Sequence, residues 1–296
     1  MRKDPIRVYY KRPEMALFLI RQYISDSISP CMKGIILAGG NGTRLLPLTA
    51  VISKQLLPVY DRPMIFYPLN TLISASIRDI LIIVAPEYSG SFLNLLGSIF
   101  LGQGINISFV VQKEPRGIAE AYLLAEDFLD EGASTLILGD NIFEDDFGEA
   151  IRTFRTGGRI FAKEVSDPER FGVVEFDKES GRAISIEEKP ERPKSRFAIP
   201  GMYIFDGRVS GIAKTLVPSG RGELEIVDMH RAYLERDELE VRVIHSAYFD
   251  AGTHESLLAA ANYVREKNFR DRFDPIVASA LSEFNREFKR SVSRGK

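Results

Sequence analysis

An α/β fold, built as a doubly wound mixed sheet with helices on both faces, follows from two features of the sequence. Through the first half, short apolar runs closed by glycine or polar residues alternate with helical stretches, the pattern of βαβ units around a buried parallel sheet. After Gly158 the strand signals come closer together, so the second half elaborates the same sheet.

In chain order, Lys33-Gly-Ile-Ile-Leu-Ala38 reads as the first strand, because an uninterrupted apolar run this short, stopped by glycines, suits a strand buried on both faces. Asp79–Ala85, Ile107–Gln112 and Thr135–Asp140 repeat the pattern. Between them Met64–Ser74, Ser91–Leu96 and Ile118–Phe128 read as helices. Closer-spaced strands follow at Arg159–Val165, Gly172–Asp177, Ala183–Glu188 and Gly201–Asp206. Leu224–Arg236 and His254–Phe269 read as helices flanking a strand at Leu239–His245. No internal repeat or low-complexity linker interrupts this run, so one continuous domain over residues 32–270 is expected. Residues 1–31 are basic and polar (Arg2, Lys3, Arg7, Lys11, Arg12) and without period. They read as an N-terminal extension, disordered or the product of a start placed too early. Residues 271–296 read as a helical tail, because Val277, Leu281, Phe284 and Phe288 recur at helical spacing. A stripe of that kind packs on its own domain more often than on a partner.

Composition removes several function classes. The 296 residues carry 39 Lys+Arg against 41 Asp+Glu, a balance that offers neither nucleic acid nor a membrane surface a charged partner. One cysteine excludes an intramolecular disulfide framework and a cysteine-built zinc site, and three histidines leave little for a histidine-based metal centre. No apolar run reaches the roughly 20 residues of a membrane span, and no cleavable secretory leader is evident. A cytoplasmic enzyme of ordinary globular composition is the expectation.

The first chemical signal is Leu37-Ala-Gly-Gly-Asn-Gly-Thr-Arg-Leu45, at the carboxyl end of the first strand. Ligands in open α/β sheets bind there. Gly39, Gly40 and Gly42, with Asn41 and Thr43 between and after them, let backbone N–H groups approach phosphate oxygens, and Arg44 adds a charged fork. The loop is neither a Walker A sequence, which needs a Lys after its last glycine, nor a dinucleotide fingerprint, which needs a third glycine where Leu45 stands. Ser53-Lys-Gln-Leu-Leu-Pro58 follows, and Lys54 there is either a solvated charge or a second cation for the same anion.

This pair of motifs resembles the sugar-1-phosphate nucleotidylyltransferases. The likeness continues through Gly117-Ile-Ala-Glu-Ala, Leu138-Gly-Asp-Asn-Ile-Phe143, Asp167-Pro-Glu-Arg-Phe-Gly-Val-Val-Glu-Phe176, Glu187-Glu-Lys-Pro190, Arg221-Gly-Glu-Leu-Glu-Ile226 and Asp250-Ala-Gly-Thr-His254. It spans Met32 to Asn268 and looks like the glucose-1-phosphate thymidylyltransferase branch, whose fold is Rossmann-like, of the nucleotide-diphospho-sugar transferase type. The resemblance implies dTTP and glucose-1-phosphate as substrates and dTDP-glucose as a product, feeding deoxysugars such as those of the dTDP-rhamnose pathway into cell-surface polysaccharide. A homo-oligomer, tetramer or dimer, is implied too.

It also implies roles. Arg44 and Lys54 hold the triphosphate and its developing charge, with Gly39, Gly40, Asn41, Gly42, Thr43 and Gln55 around the nucleotide. Gln112 and Gly117 meet the pyrimidine. Gly172, Glu188, Lys189, Ile199 and Arg221 form the sugar-phosphate side, though Arg221 is alternatively a helix-start partner of Glu223 or Glu225. Asp140 and Asp250 bind Mg²⁺, the alternative for each being a turn aspartate. A phosphate monoester is largely dianionic at pH 7, its second pKa being about 6, so scarce histidines are no objection. Departures from the family are Arg116 where an acid is usual, Pro200 where Thr is usual, and Tyr248 where Trp is usual. Few residues follow Asp250 compared with the longer C-terminal portion that builds a regulatory site in many members, which places feedback control in question. The alternatives are an enzyme using UTP or another sugar-1-phosphate, and a non-catalytic nucleotide-sugar sensor; Asp140, Asp250 and Lys54 favour catalysis over the sensor.

Overall fold

A computed structural model of the chain describes residues 32–294; the extension expected at residues 1–31 and the last two residues of the tail lie outside them. The strands are β1 (Lys33–Ala38), β2 (Pro58–Val59), β3 (Arg62–Pro63), β4 (Asp79–Val84), β5 (Asn106–Val111), β6 (Ser134–Leu138), β7 (Asn141–Phe143), β8 (Gly158–Glu164), β9 (Gly172–Phe176), β10 (Ala183–Glu188), β11 (Phe197–Ala198), β12 (Met202–Phe205), β13 (Leu239–Val243) and β14 (Tyr248–Asp250). The main sheet runs β10-β9-β11-β8-β12-β6-β1-β4-β5, with β13 also paired to β8. Strands β6, β1, β4 and β5 are parallel. Strand β12 runs antiparallel to both β6 and β8, which makes the sheet mixed.

The apolar runs are continuous because both faces are covered. In β4 the side chains of Ile80, Ile82 and Val84 enter one core and those of Leu81 and Ile83 the other, and β1 divides Ile36 from Ile35 in the same way. This is the two-residue alternation of a strand read from both sides. Each such side chain contributes about 1.5–3 kcal/mol by leaving water.

Most elements match the sequence reading within a residue or two. Two helices differ more: Ile118–Phe128 is two short helices, Glu120–Leu124 and Glu126–Leu129, parted at Ala125, whose backbone (φ −93°, ψ 0°) leaves the helical region, and the helix expected over His254–Phe269 ends at Glu266. The helix Pro275–Arg294 sinks Val277 and Ala280 into the core that holds Phe66–Ser74, with Leu281 and Phe284 packed against it. Phe288, next along the stripe, is 60% exposed and stacks on Phe284.

Among the described residues no helix is long and apolar enough to cross a membrane.

Candidate active site

The sheet order reverses at β1. The chain crosses from β1 to β4 and β5 on one side, then returns to place β6 on the other, and such a switch point leaves a crevice at the strand ends. Its two walls touch: Gly139, just after β6, donates its N–H to the Leu37 carbonyl at 3.0 Å. A cleft of about 520 Å³ opens there. Its lining includes Gly40, Arg44, Lys54, Gln55, Gln112, Gly117, Asp140, Gly172, Glu188, Lys189, Ile199, Arg221 and Asp250, so thirteen of the predicted site residues share one cavity. Gly39, Asn41, Gly42 and Thr43 belong to the same loop but do not line it.

The loop is held from behind. Gly42 has left-handed backbone (φ +62°), and its carbonyl accepts from the Thr49 hydroxyl at 2.8 Å. Arg44 reaches across to Gly252, where even a Cβ would come within 2.7 Å of its Nη2 and 2.8 Å of Asp250 Oδ1. Gly252, two residues after Asp250, therefore leaves room for the Arg44 guanidinium beside that carboxylate. Lys54, which opens a short 3₁₀ turn, is bonded through Nζ to Asp140 Oδ2 across 86 residues of sequence.

Asp140 sits in the turn just before β7, and Asp250 ends β14. Strand β14 pairs antiparallel with β7, setting Asp250 opposite Asn141, a pairing the sequence reading did not anticipate. Burial raises the Asp140 carboxyl, but the Lys54 charge and hydrogen bond outweigh it and hold the group below the usual carboxylate range. Burial, then the Asp140 charge, push Asp250 upward, partly offset by Arg44 and Lys54. Asn141 ties the corner together: its Nδ2 donates to Asp140 Oδ1 at 3.2 Å, while its Oδ1 accepts from the Tyr248 hydroxyl at 2.9 Å and from Gly201 N–H at 2.8 Å. Tyr248, standing at the unusual aromatic position, thus braces the carboxylate pair.

Gln112, also in the cleft lining, follows β5 and is fixed by its own N–H to the Val84 carbonyl at 2.9 Å. Gly117 has φ +98°, and a Cβ there would stand 2.3 Å from the Leu224 carbonyl oxygen. Its glycine is required by the backbone of the Arg221–Glu225 segment, which bonds Arg116 and Ala119 on either side.

Glu188, Lys189, Arg221 and Glu225 form a charged rim. Lys189 Nζ lies 3.2 Å from Glu188 Oε1. Arg221 Nη2 lies 2.9 Å from Glu225 Oε1 and 4.0 Å from Glu188, so the helix-start pairing with Glu225 exists, within the cleft. Lys189 has left-handed backbone (φ +44°), pinned by its N–H to the Phe171 carbonyl at 3.0 Å. A non-glycine residue held there is strained, and such strain concentrates at functional sites. Sequence reasoning missed Glu120, Tyr203, Glu225 and His230. Tyr203, Glu225 and His230 line the cleft, while Glu120 is buried behind Gln112. Glu120 and Glu225 each carried a signal, Glu120 inside Gly117-Ile-Ala-Glu-Ala and Glu225 as the second acid of Arg221-Gly-Glu-Leu-Glu.

Comparison with known proteins bears on this geometry directly. The profile described as nucleotidyl transferase matches residues 33–267. A glucose-1-phosphate thymidylyltransferase of Neisseria meningitidis serogroup A is 53% identical over 242 residues, covering 79% of this chain and 83% of its own. One of Mycolicibacterium smegmatis is 49% identical over 246 residues, covering 81% and 84%. A Bacillus anthracis crystal structure assigned as a glucose-1-phosphate thymidylyltransferase, in complex with sucrose, aligns with TM-score 0.74 at 44% identity over 79% of this chain and 95% of that one. UDP-glucose pyrophosphorylase complexed with UDP-glucose aligns at TM-score 0.70 and 23% identity over 80% and 99%, a likeness of fold alone. Identity at this level across the whole described sheet leaves one assignment: the chain belongs to the nucleotidyl transferase family, in its glucose-1-phosphate thymidylyltransferase branch.

Proposed function

We propose that this chain transfers a thymidylyl group from dTTP to glucose-1-phosphate, releasing pyrophosphate and dTDP-glucose, in the cytoplasm and as a homo-oligomer. Residues 32–270 form the catalytic domain, with the helix after Pro275 as its tail. The observation that carries the reading is one cleft with two cationic ends, Arg44 and Lys54 at one and Lys189 and Arg221 at the other, with Asp140 and Asp250 on its wall.

Asp140 and Asp250 fit a Mg²⁺ ion: one buried and one half-buried carboxylate, mutually repelling and beside the glycine loop, match its preference for one or two carboxylates plus substrate phosphates. Among the described residues no cluster of three or more ligating side chains occurs, so phosphate oxygens and water complete such a shell. When bound, the ion supplies charge neutralisation at the reacting phosphate.

Arg44 and Lys54 bind the triphosphate and stabilise charge as pyrophosphate departs. Lys189 and Arg221 orient the sugar phosphate for in-line attack on the α-phosphorus, and Glu188 accepts from sugar hydroxyls. The attacking phosphate needs no general base, so catalysis rests on alignment and charge.

A pyrophosphate-release matrix of dTTP, UTP, dCTP and ATP against several sugar-1-phosphates tests this. The expected maximum is dTTP with glucose-1-phosphate. A maximum elsewhere overturns the substrate assignment, and no release from any pair overturns catalysis.

A further inference from the structure

Glu120 is a buried carboxylate, 3% exposed, at the start of the helix Glu120–Leu124, and the reaction above makes no use of it. Its Oε2 accepts from Gln112 Nε2 at 2.8 Å and from the Arg116 N–H at 3.2 Å. Its Oε1 takes the Arg116 guanidinium, from Nε at 2.9 Å and Nη2 at 2.7 Å. The remaining end of Gln112, Oε1, faces Gly39, where an added Cβ would stand only 2.3 Å away. No hydrogen bond from the described residues reaches that oxygen.

A carboxylate offers only acceptors, so the amide face turned toward Glu120 must be the NH₂. The opposite orientation would press a carbonyl against a carboxylate and leave a buried acceptor unpaired, a loss of about 1–3 kcal/mol. Amide orientation is otherwise nearly free, since the two ends have the same shape. Arg116 closes the arrangement by giving the buried charge a two-point partner. Arg116 and Glu120 therefore form one charge-paired unit in this chain.

We propose that Glu120 is a positioning residue for base selection: it locks the Gln112 amide so that an acceptor is presented to the nucleotide, which selects pyrimidines carrying an N3–H donor against cytosine, whose N3 is an acceptor. This rests on the reading that Gln112 meets the base. With glutamine at position 120 either orientation of Gln112 finds a partner, and the flipped amide offers its N–H to cytosine.

The test compares kcat/KM for dTTP and dCTP, each with glucose-1-phosphate, in the full chain and in Glu120→Gln and Glu120→Asp, with thermal unfolding as a check on folding. The aspartate keeps the charge for Arg116 but withdraws it from Gln112. The dTTP-to-dCTP ratio should fall tenfold or more in each folded variant, with the dTTP arm carrying most of the loss. A ratio unchanged from the parent in either folded variant overturns the lock, whatever the absolute rates, because a merely structural carboxylate would lower both arms together. A parent chain inactive with dTTP and glucose-1-phosphate refutes the function itself, which is a separate result.

Discussion

Lys189 pays for its position in backbone strain, so two substitutions there report different things. Lys189→Ala removes a charge-assisted contact worth about 1.5–3 kcal/mol and should raise KM for glucose-1-phosphate roughly tenfold or more, with nucleotide affinity little changed. Lys189→Gly should show the same kinetic defect but greater stability than the alanine variant, since glycine adopts φ +44° freely. A two-substrate kinetic grid with calorimetric nucleotide binding decides; a defect in dTTP binding alone would reassign the residue. Asp140→Asn and Asp250→Asn preserve size while removing the paired charge, and each should fold but lose most turnover. Parent-like rates at limiting Mg²⁺ would withdraw that carboxylate from the metal. His230 gives a pH prediction. It is fully buried against Tyr203 and Phe205, neither ring nitrogen has a partner, and burial, then Arg231, push its pKa down to about 3. Above pH 6.5 the ring is neutral folded or unfolded and adds nothing to the pH dependence of stability. Below that the unfolded chain takes a proton the folded one refuses, so stability is lost at about 1.4 kcal/mol per pH unit from 6.5 down toward 3. His230→Leu should flatten that loss, measured by urea unfolding at pH 7 and pH 5; equal slopes in both proteins would refute it.

At the scale of elements, the site depends on segments far apart in sequence being clamped. Leu224 N–H donates to the Arg116 carbonyl at 2.8 Å and Ala119 N–H to the Leu224 carbonyl at 3.2 Å, with Gly117 between. Gly117→Ala forces a side chain into left-handed backbone and into the Leu224 peptide at once. It should cost about 1–3 kcal/mol from strain alone and lower both nucleotide and sugar-phosphate affinity, because the clamp joins the base loop to the Arg221 segment. A variant with parent-like melting temperature and kinetics would show the clamp to be dispensable. The β7–β14 pair does similar work for the two aspartates, and its register decides that they share a wall.

For the whole molecule, the first strand of the buried sheet begins at Lys33, and the nucleotidyl transferase profile matches from residue 33 onward. A chain beginning at Met32 should therefore fold cooperatively and turn over at a near-unchanged rate, as chemical unfolding and pyrophosphate release would show. Loss of soluble protein, or of most activity, would mean that residues 1–31 complete the fold.

The fold class was legible because double-sided burial leaves its mark locally: a strand such as β4 is apolar and buried throughout Ile80–Val84, and glycines punctuate the loop after β1. Asp140 stood out as a carboxylate after a buried apolar run, with a turn aspartate as the alternative, and its proposed role came from the family resemblance. Pairings were not. That Lys54 meets Asp140, that Asp250 stands opposite Asn141, that Glu120 orients Gln112 and that His230 is sealed without a partner all depend on sheet order and register. Those contacts join residues that share no local period, and a one-residue slip of a strand would replace every one of them while leaving the hydrophobic runs just as readable. The sequence by itself determined which surfaces must be buried and which backbone must be bare; the tertiary structure decided which charges would meet.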